Sequence, residues 1–286
     1  MTDTAPLFDR VAIIGIGLIG SSLARALTEY GVARTVVCAD RSIDVCAKAM
    51  ELGIVDMATT EIPVAMDGAD LVVLCSPVGS FAEVGEVIAP HLREGMIISD
   101  VGSVKQAVLR DIGPHLPDGV HLVPGHPVAG TEHSGPEAGF ASLFQGRWCI
   151  LTPPPGTDAG AVEKMTALWR RIGSTVEIME ASHHDRVLAI TSHLPHLIAY
   201  TIVGTASDLE ETTKSEVIKF SAGGFRDFTR IAASDPVMWR DIFLNNREAV
   251  LDTLQRAIRW GEGQQLQDHF TKTRAVRRSI IDAKQA

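Results

Sequence analysis

Histidine, serine and glycine positions carry the chemistry in this sequence. His126 stands between Gly125 and Pro127, just past a strand-like run, in a stretch crowded with Gly, Pro, His and Ser. Imidazole titrates near neutrality, so a histidine there could take a proton from a hydroxyl undergoing oxidation. Position alone gives a structural hydrogen bond equal standing. Ser103, in the run from Asp100 to Lys105, could cap the next helix, face a ligand, or do both. His193 and His196 lie one helical turn apart and share a face. They could be core residues or a metal pair, but no carboxylate or cysteine stands at ligand spacing, so no metal is expected.

A second signature is Gly15-Ile16-Gly17-Leu18-Ile19-Gly20, a G-x-G-x-x-G run between a strand-like and a helical segment. Gly15 would allow the tight turn, Gly17 the approach of a pyrophosphate, and Gly20 close helix packing. Free N–H groups at the helix start, around Leu18 and Ile19, would favour the anion. Asp40 falls at the end of the next strand-like run, placed to accept from adenosine ribose hydroxyls. That combination points to a dinucleotide. Asp40 would repel a 2′-phosphate and favours NAD, while Arg41 could pair with that phosphate and keeps NADP possible.

These residues need a scaffold, and the first 180 positions supply one. Strand-like runs at Val11–Gly15, Thr35–Ala39, Leu71–Cys75, Met96–Val101, His121–Pro124, Trp148–Thr152 and Thr175–Met179 alternate with helical segments. Alternation of this kind predicts a doubly wound parallel sheet with helices on both faces. Ligands gather beyond the carboxyl ends of such strands, where Ser76-Pro77 and Ser103 fall. Gly125–Gly146 reads as a long irregular insertion. After Glu180 only helices are expected: one over 182–206 bent at Pro195, one from Ser234-Asp235-Pro236 to about Trp260, and one over about 264–282.

Composition sets the outer limits. The 286 residues suggest roughly two domains, and 45% hydrophobic with 21% charged residues is globular usage. A formal charge of −9 repels phosphate backbones, so nucleic acid is not an expected partner. No uncharged apolar run reaches a membrane span, and the first ten residues lack signal-peptide character. Four scattered cysteines without a CxxC pair suit reduced thiols and a cytoplasmic protein.

GxGLIGxS at 15–22, SPV at 76–78, DVGSVK at 100–105 and GHPVAGTEHSG at 125–135 together resemble the prephenate/arogenate dehydrogenases of tyrosine biosynthesis. ITSHLPHLIAY at 190–200 and SAGGFRDFTRIAASDPVMW at 221–239 resemble that family's helical domain. The resemblance implies a Rossmann-type domain over 1–180 and an all-helical dimerisation domain over 181–286, forming a homodimer. It implies oxidative decarboxylation of prephenate, and of arogenate as the alternative, with a nicotinamide cofactor. In that reading His126 is the polarising base on the 4-hydroxyl and Ser103 holds the same hydroxyl. Arg226 takes a substrate carboxylate, His196 contacts substrate with His193 behind it, and Glu132 stands at the pocket mouth. Ser76 and Pro77 border the cofactor. Lys105 could approach the cofactor or substrate, though a helix-surface position is expected; for His184 and Asp185 a capping role is expected, for Trp239 core packing or a dimer interface. Arg226 and Arg230 could instead pair with Asp227. The chain closes soon after its last helix, so tyrosine feedback is expected only at the active site. A 3-hydroxyacid-type dehydrogenase, the remote alternative, would need a lysine on the helix after the cofactor domain, and none falls between 165 and 213.

Overall fold

The computed structural model describes residues 5–131, 133–210, 219–258 and 263–283. Six strands, β1 (Phe8–Ile14), β2 (Ala33–Ala39), β3 (Met57–Thr59), β4 (Leu71–Leu74), β5 (Ile97–Asp100) and β6 (His121–Leu122), form one sheet in the order β3-β2-β1-β4-β5-β6. All pairings are parallel. Runs such as Val11–Ile14 and Leu71–Leu74 are buried throughout, because helices cover both faces. Those helices are α1 (Leu18–Glu29), α2 (Ile43–Glu51), α3 (Ile62–Met66), α4 (Phe81–Ile88), α5 (Lys105–Asp111) and α6 (Ala159–Arg171). β1 and β4 are neighbours, so the strand order reverses between them and opens a crevice at their carboxyl ends. β3 and α3 had no distinct hydrophobic signal, being three and five residues long.

The last two predicted strands lie elsewhere. β7 (Gly125–Pro127), β8 (Trp148–Leu151) and β9 (Thr175–Ile178) make a second, three-stranded sheet in which β7 runs antiparallel to β8. Pro124 explains the break. It has no N–H for the main ladder, and its carbonyl instead accepts from Thr152 N at 2.9 Å. His126 therefore sits on a strand rather than in irregular chain. The rest of the insertion, with 3-10 turns at Pro136–Ala138 and Ala141–Phe144, is pressed onto α1. A Cβ on Gly139 would lie 2.1 Å from Ser21 Oγ.

Beyond β9 the described chain is helical: α7 (Ala181–Leu188), α8 (Leu194–Glu210), α9 (Gly223–Thr229), α10 (Pro236–Asn245), α11 (Arg247–Ala257) and α12 (Gly263–Ala283). α7 and α8 are joined by a π turn, Ala189–His193, immediately before Pro195. Pro195 can give no N–H to Thr191, and a widened turn accommodates its ring without ending the helix. Asp235 caps α10 through Met238 N at 2.7 Å, as its sequence foretells. The single helix expected to run on to Trp260 is instead broken at Asn246. Trp260 lies outside the described residues. By length and mean hydropathy (1.4) the helix Ala181–Leu209 could cross a membrane, contrary to the sequence expectation. One side of it buries His184, Asp185 and His193, so these three polar groups are committed to packing within the protein.

Candidate active site

The cofactor cradle follows from steric necessity. Gly15 has φ +96°, and a Cβ there would meet Ser76 N at 2.8 Å and Cys75 C at 2.9 Å. A Cβ on Gly20 would lie 2.1 Å from Gly15 O, so the α1 turn and the β4 end are locked together. Gly17 has open space before it, and the α1 N-terminus has no side-chain cap. An anion fits there, on N–H groups that nothing else uses. Asp40 accepts from Ile16 N (3.1 Å) and Ser42 N (3.0 Å), which aims its carboxylate at the same crevice. Arg41 is exposed beside it, and Ser42 caps α2. Ser76 and Pro77 close the other side, Ser76 held by Ser80 Oγ at 2.9 Å. Gly15, Gly17, Leu18, Ile19, Gly20 and Asp40 thus gather at the carboxyl ends of β1 and β2, with the features an NAD pyrophosphate and ribose require.

Below the crevice lies a buried ion pair. Lys105 Nζ donates to Asp100 Oδ2 and to Gly125 O, the latter at 2.6 Å, and both side chains are fully buried. The expected surface lysine is therefore an interior one. Asp100 also accepts from Gly102 N (2.7 Å) and Gly125 N (3.2 Å). One pair thus fixes the backbone on either side of Ser103 and His126. Burial pushes the Asp100 carboxyl up and the Lys105 ammonium down, and each charge opposes the other's shift.

His126 is the end of a relay. Its Nδ1 lies 2.8 Å from His184 Nε2, and His184 Nδ1 lies 2.8 Å from Asp185 Oδ1. A carboxylate only accepts, so His184 carries its proton on Nδ1 and must accept at Nε2. His126 is then the donor at Nδ1, which leaves its Nε2 bare. A bare, oriented imidazole nitrogen is a hydrogen-bond acceptor for a substrate hydroxyl. Asp185 also accepts from Lys105 N (2.8 Å) and Gln106 N (2.9 Å), so it caps α5 rather than its own helix. That displaces Ser103 from the capping role; the α5 cap position is Val104, and no side chain of α5's own segment caps it. Ser103 is half-buried, and its hydroxyl is not committed to that cap.

Electrostatics keep the base neutral. Burial, then His184 and Lys105, hold the His126 pKa well below the ordinary 6.5. Burial alone would raise Asp185, but hydrogen bonds from His184 and the α5 N–H groups outweigh it and hold it down. Burial also drives His193 to about 4. An imidazole held neutral in the fold but free to protonate when unfolded destabilises the fold as pH falls. His193 contributes in full above pH 6.5, and by pH 4 its loss reaches about 3 kcal/mol. Denaturant midpoints measured from pH 7.5 to 4.5 are expected to fall steadily below 6.5; a flat profile would contradict this electrostatic account.

His193 and His196 do share a face, against Trp239. His196 stacks on the indole at 3.6 Å, and His193 meets it edge-on at 6.1 Å. His196 Nδ1 donates to Ser192 O at 2.9 Å, leaving Nε2 free, and Trp239 is buried in the core. The guanidinium whose charge reaches the His196 ring is that of Arg230. Arg226, one turn earlier on α9, and Arg230 are both exposed. Glu132 lies outside the described residues. One contributor carried no sequence signal, Asn246, whose Nδ2 reaches both Asp185 O and His193 Nδ1, and no local pattern announces the burial of Lys105.

A dinucleotide crevice opening on a buried, bare imidazole nitrogen defines a nicotinamide-dependent dehydrogenase. The comparisons specify which. A family model described as prephenate dehydrogenase, nucleotide-binding domain, matches residues 23–178, and one described as prephenate dehydrogenase, dimerization domain, matches 180–272. The chain is 43% identical over 284 residues to the cyclohexadienyl dehydrogenase of Zymomonas mobilis, covering 96% of this chain and 97% of that one. The Aquifex aeolicus prephenate dehydrogenase, solved with hydroxyphenyl propionate and NAD+, aligns with TM-score 0.85 and 36% identity over 95% of this chain and 98% of its own. The Synechocystis arogenate dehydrogenase aligns with TM-score 0.78 at 25% identity, over 95% and 99%. This chain belongs to the prephenate dehydrogenase family.

Proposed function

We propose that this protein catalyses the NAD-dependent oxidative decarboxylation of prephenate to 4-hydroxyphenylpyruvate in tyrosine biosynthesis. The observation that carries this is the Asp185–His184–His126 relay, which ends in a bare Nε2 at the crevice where the cofactor pocket opens. NAD+, when bound, supplies the hydride acceptor, and Gly17 and Asp40 would hold its pyrophosphate and ribose. The C4–H bond of the substrate breaks with its electron pair leaving as hydride. The bond from C1 to its carboxylate breaks with that pair entering the ring, and CO2 departs. The hydroxyl keeps its proton in the phenolic product, so His126 polarises the O–H bond and Ser103 holds the oxygen from the other side. Placing these groups is most of what the protein must do, because aromatisation drives the reaction.

The substrate carboxylates need a cation, and Arg226 is the guanidinium proposed for one of them, with Arg230, whose charge bears on His196, close by in the chain. His196 faces the same substrate and His193 supports it. Arogenate, which yields tyrosine, is the second reading, since relatives named for either substrate share this architecture. Mixing purified protein with NAD+ and prephenate, then arogenate, and following reduced nicotinamide by absorbance tests both. Turnover with prephenate is expected, and with NADP+ a kcat/KM lower by about tenfold or more, since Asp40 opposes the extra phosphate. Absence of turnover with either substrate and either cofactor would overturn the reading.

The assembly we propose is a homodimer through the helical segment. Ile190, Ile202, Val203, Leu244, Leu251 and Ile258 are all exposed there, an apolar area a single chain leaves in water. Light scattering at micromolar concentration is expected to give twice the chain mass. The four cysteines are free thiols, which suits the cytoplasm.

A further inference from the structure

Asn246 breaks the helical run between α10 and α11, is buried, and takes no part in the chemistry above. Its Nδ2 donates to the Asp185 backbone carbonyl at 2.9 Å and contacts His193 Nδ1 at 3.0 Å. The carbonyl only accepts, so the nitrogen of this amide must face inward, and both of its N–H groups are spent. His193 Nδ1 is therefore an acceptor, and the ring proton resides on Nε2. No atom stands within full hydrogen-bond geometry of that Nε2. The Ser103 carbonyl faces it loosely. The groups whose charge bears on His193 are Asp185 and His184 of α7 and His196 of α8.

Resting on the reading of the site given above, we propose that Asn246 is a positioning residue for this reaction. One N–H anchors the backbone of Asp185, whose side chain orients His184 and so His126. The other fixes His193 as the Nε2–H tautomer, directed at the Ser103 turn. The protein then holds one imidazole nitrogen bare, on His126, and one that carries a proton and is buried behind the Ser103 turn, on His193. The first can accept from a hydroxyl, the second can donate only toward the Ser103 turn, and neither role survives a reversed tautomer of its own ring. Protonating His193 at Nδ1 would set two donors against each other and force the amide off Asp185. That couples the two functions of Asn246.

The test is nitrogen NMR of full-length protein labelled at histidine, with the His193 signals assigned by their loss in His193→Gln. Wild type is expected to show Nδ1 unprotonated and Nε2 protonated from pH 7.5 to 5.5. Asn246→Asp cannot donate and would instead accept a proton from Nδ1. It is expected to reverse the tautomer, move the acid limb of kcat upward, and lower kcat about tenfold or more, with KM for NAD+ changed less than about twofold. Asn246→Ala should lower kcat without imposing the reversed tautomer. A packing role alone would alter stability but not ring protonation. Wild-type His193 protonated at Nδ1, or Asn246→Asp with an unchanged pH profile and kcat, would overturn the proposal. Should the wild type turn over neither prephenate nor arogenate, the functional reading falls, while the tautomer measured on the protein alone still decides this one.

Discussion

Replacing His126 with asparagine is expected to leave a folded protein that binds NAD+ normally and turns over on the order of 10²–10⁴-fold more slowly. The fold tolerates the change because asparagine can still donate to His184 Nε2, keeping the relay hydrogen-bonded. What is lost is the bare Nε2 that the relay aligns; the other Nε2 left free, that of His196, is backed by the Ser192 carbonyl rather than by a carboxylate. His184 has both nitrogens engaged, and His196 spends Nδ1 on Ser192 O. Steady-state kcat, with NAD+ affinity from calorimetry, checks this. A variant retaining more than about a tenth of wild-type turnover would mean another group polarises the hydroxyl.

The second large effect concerns stability. Lys105→Met removes the cation from a pair with no solvent access and leaves the Asp100 carboxylate facing only Gly102 N and Gly125 N. Breaking one partner of a buried pair costs about 3–5 kcal/mol, because the surviving charge is stranded. Chemical denaturation should register that loss. Asp100→Asn together with Lys105→Met should recover much of it, since the stranded charge is gone. Were the single variant to lose less than about 1 kcal/mol, the pair would not be what anchors the two loops.

Much of the site was legible because each piece follows a local rule. The glycine spacing at 15–20 and the acid at 40 encode a turn and a ribose contact, and the structure gives steric reasons for each. The alternation of strands and helices announced the main sheet, and Ser234-Asp235-Pro236 announced the start of α10. What escaped was non-local. Strand β7 has only three residues, and Pro124 sends it to a second sheet through a hydrogen bond to Thr152. Lys105 looked like any helix-start lysine, and its burial depends on Asp100 and Gly125, which sequence spacing does not bring together. Asp185 read as a cap and is one, but for a helix 80 positions earlier in the chain. Arg230 and Arg226 look alike in sequence. Both stay exposed in the fold, and the charge of Arg230 bears on His196.

The Asp185 carboxylate serves two clients: the first N–H groups of α5 and the imidazole that orients His126. The seam between the sheet-bearing half and the helical half is therefore itself part of the base. If those halves parted at this seam, the reactive nitrogen would lose its alignment in the same motion.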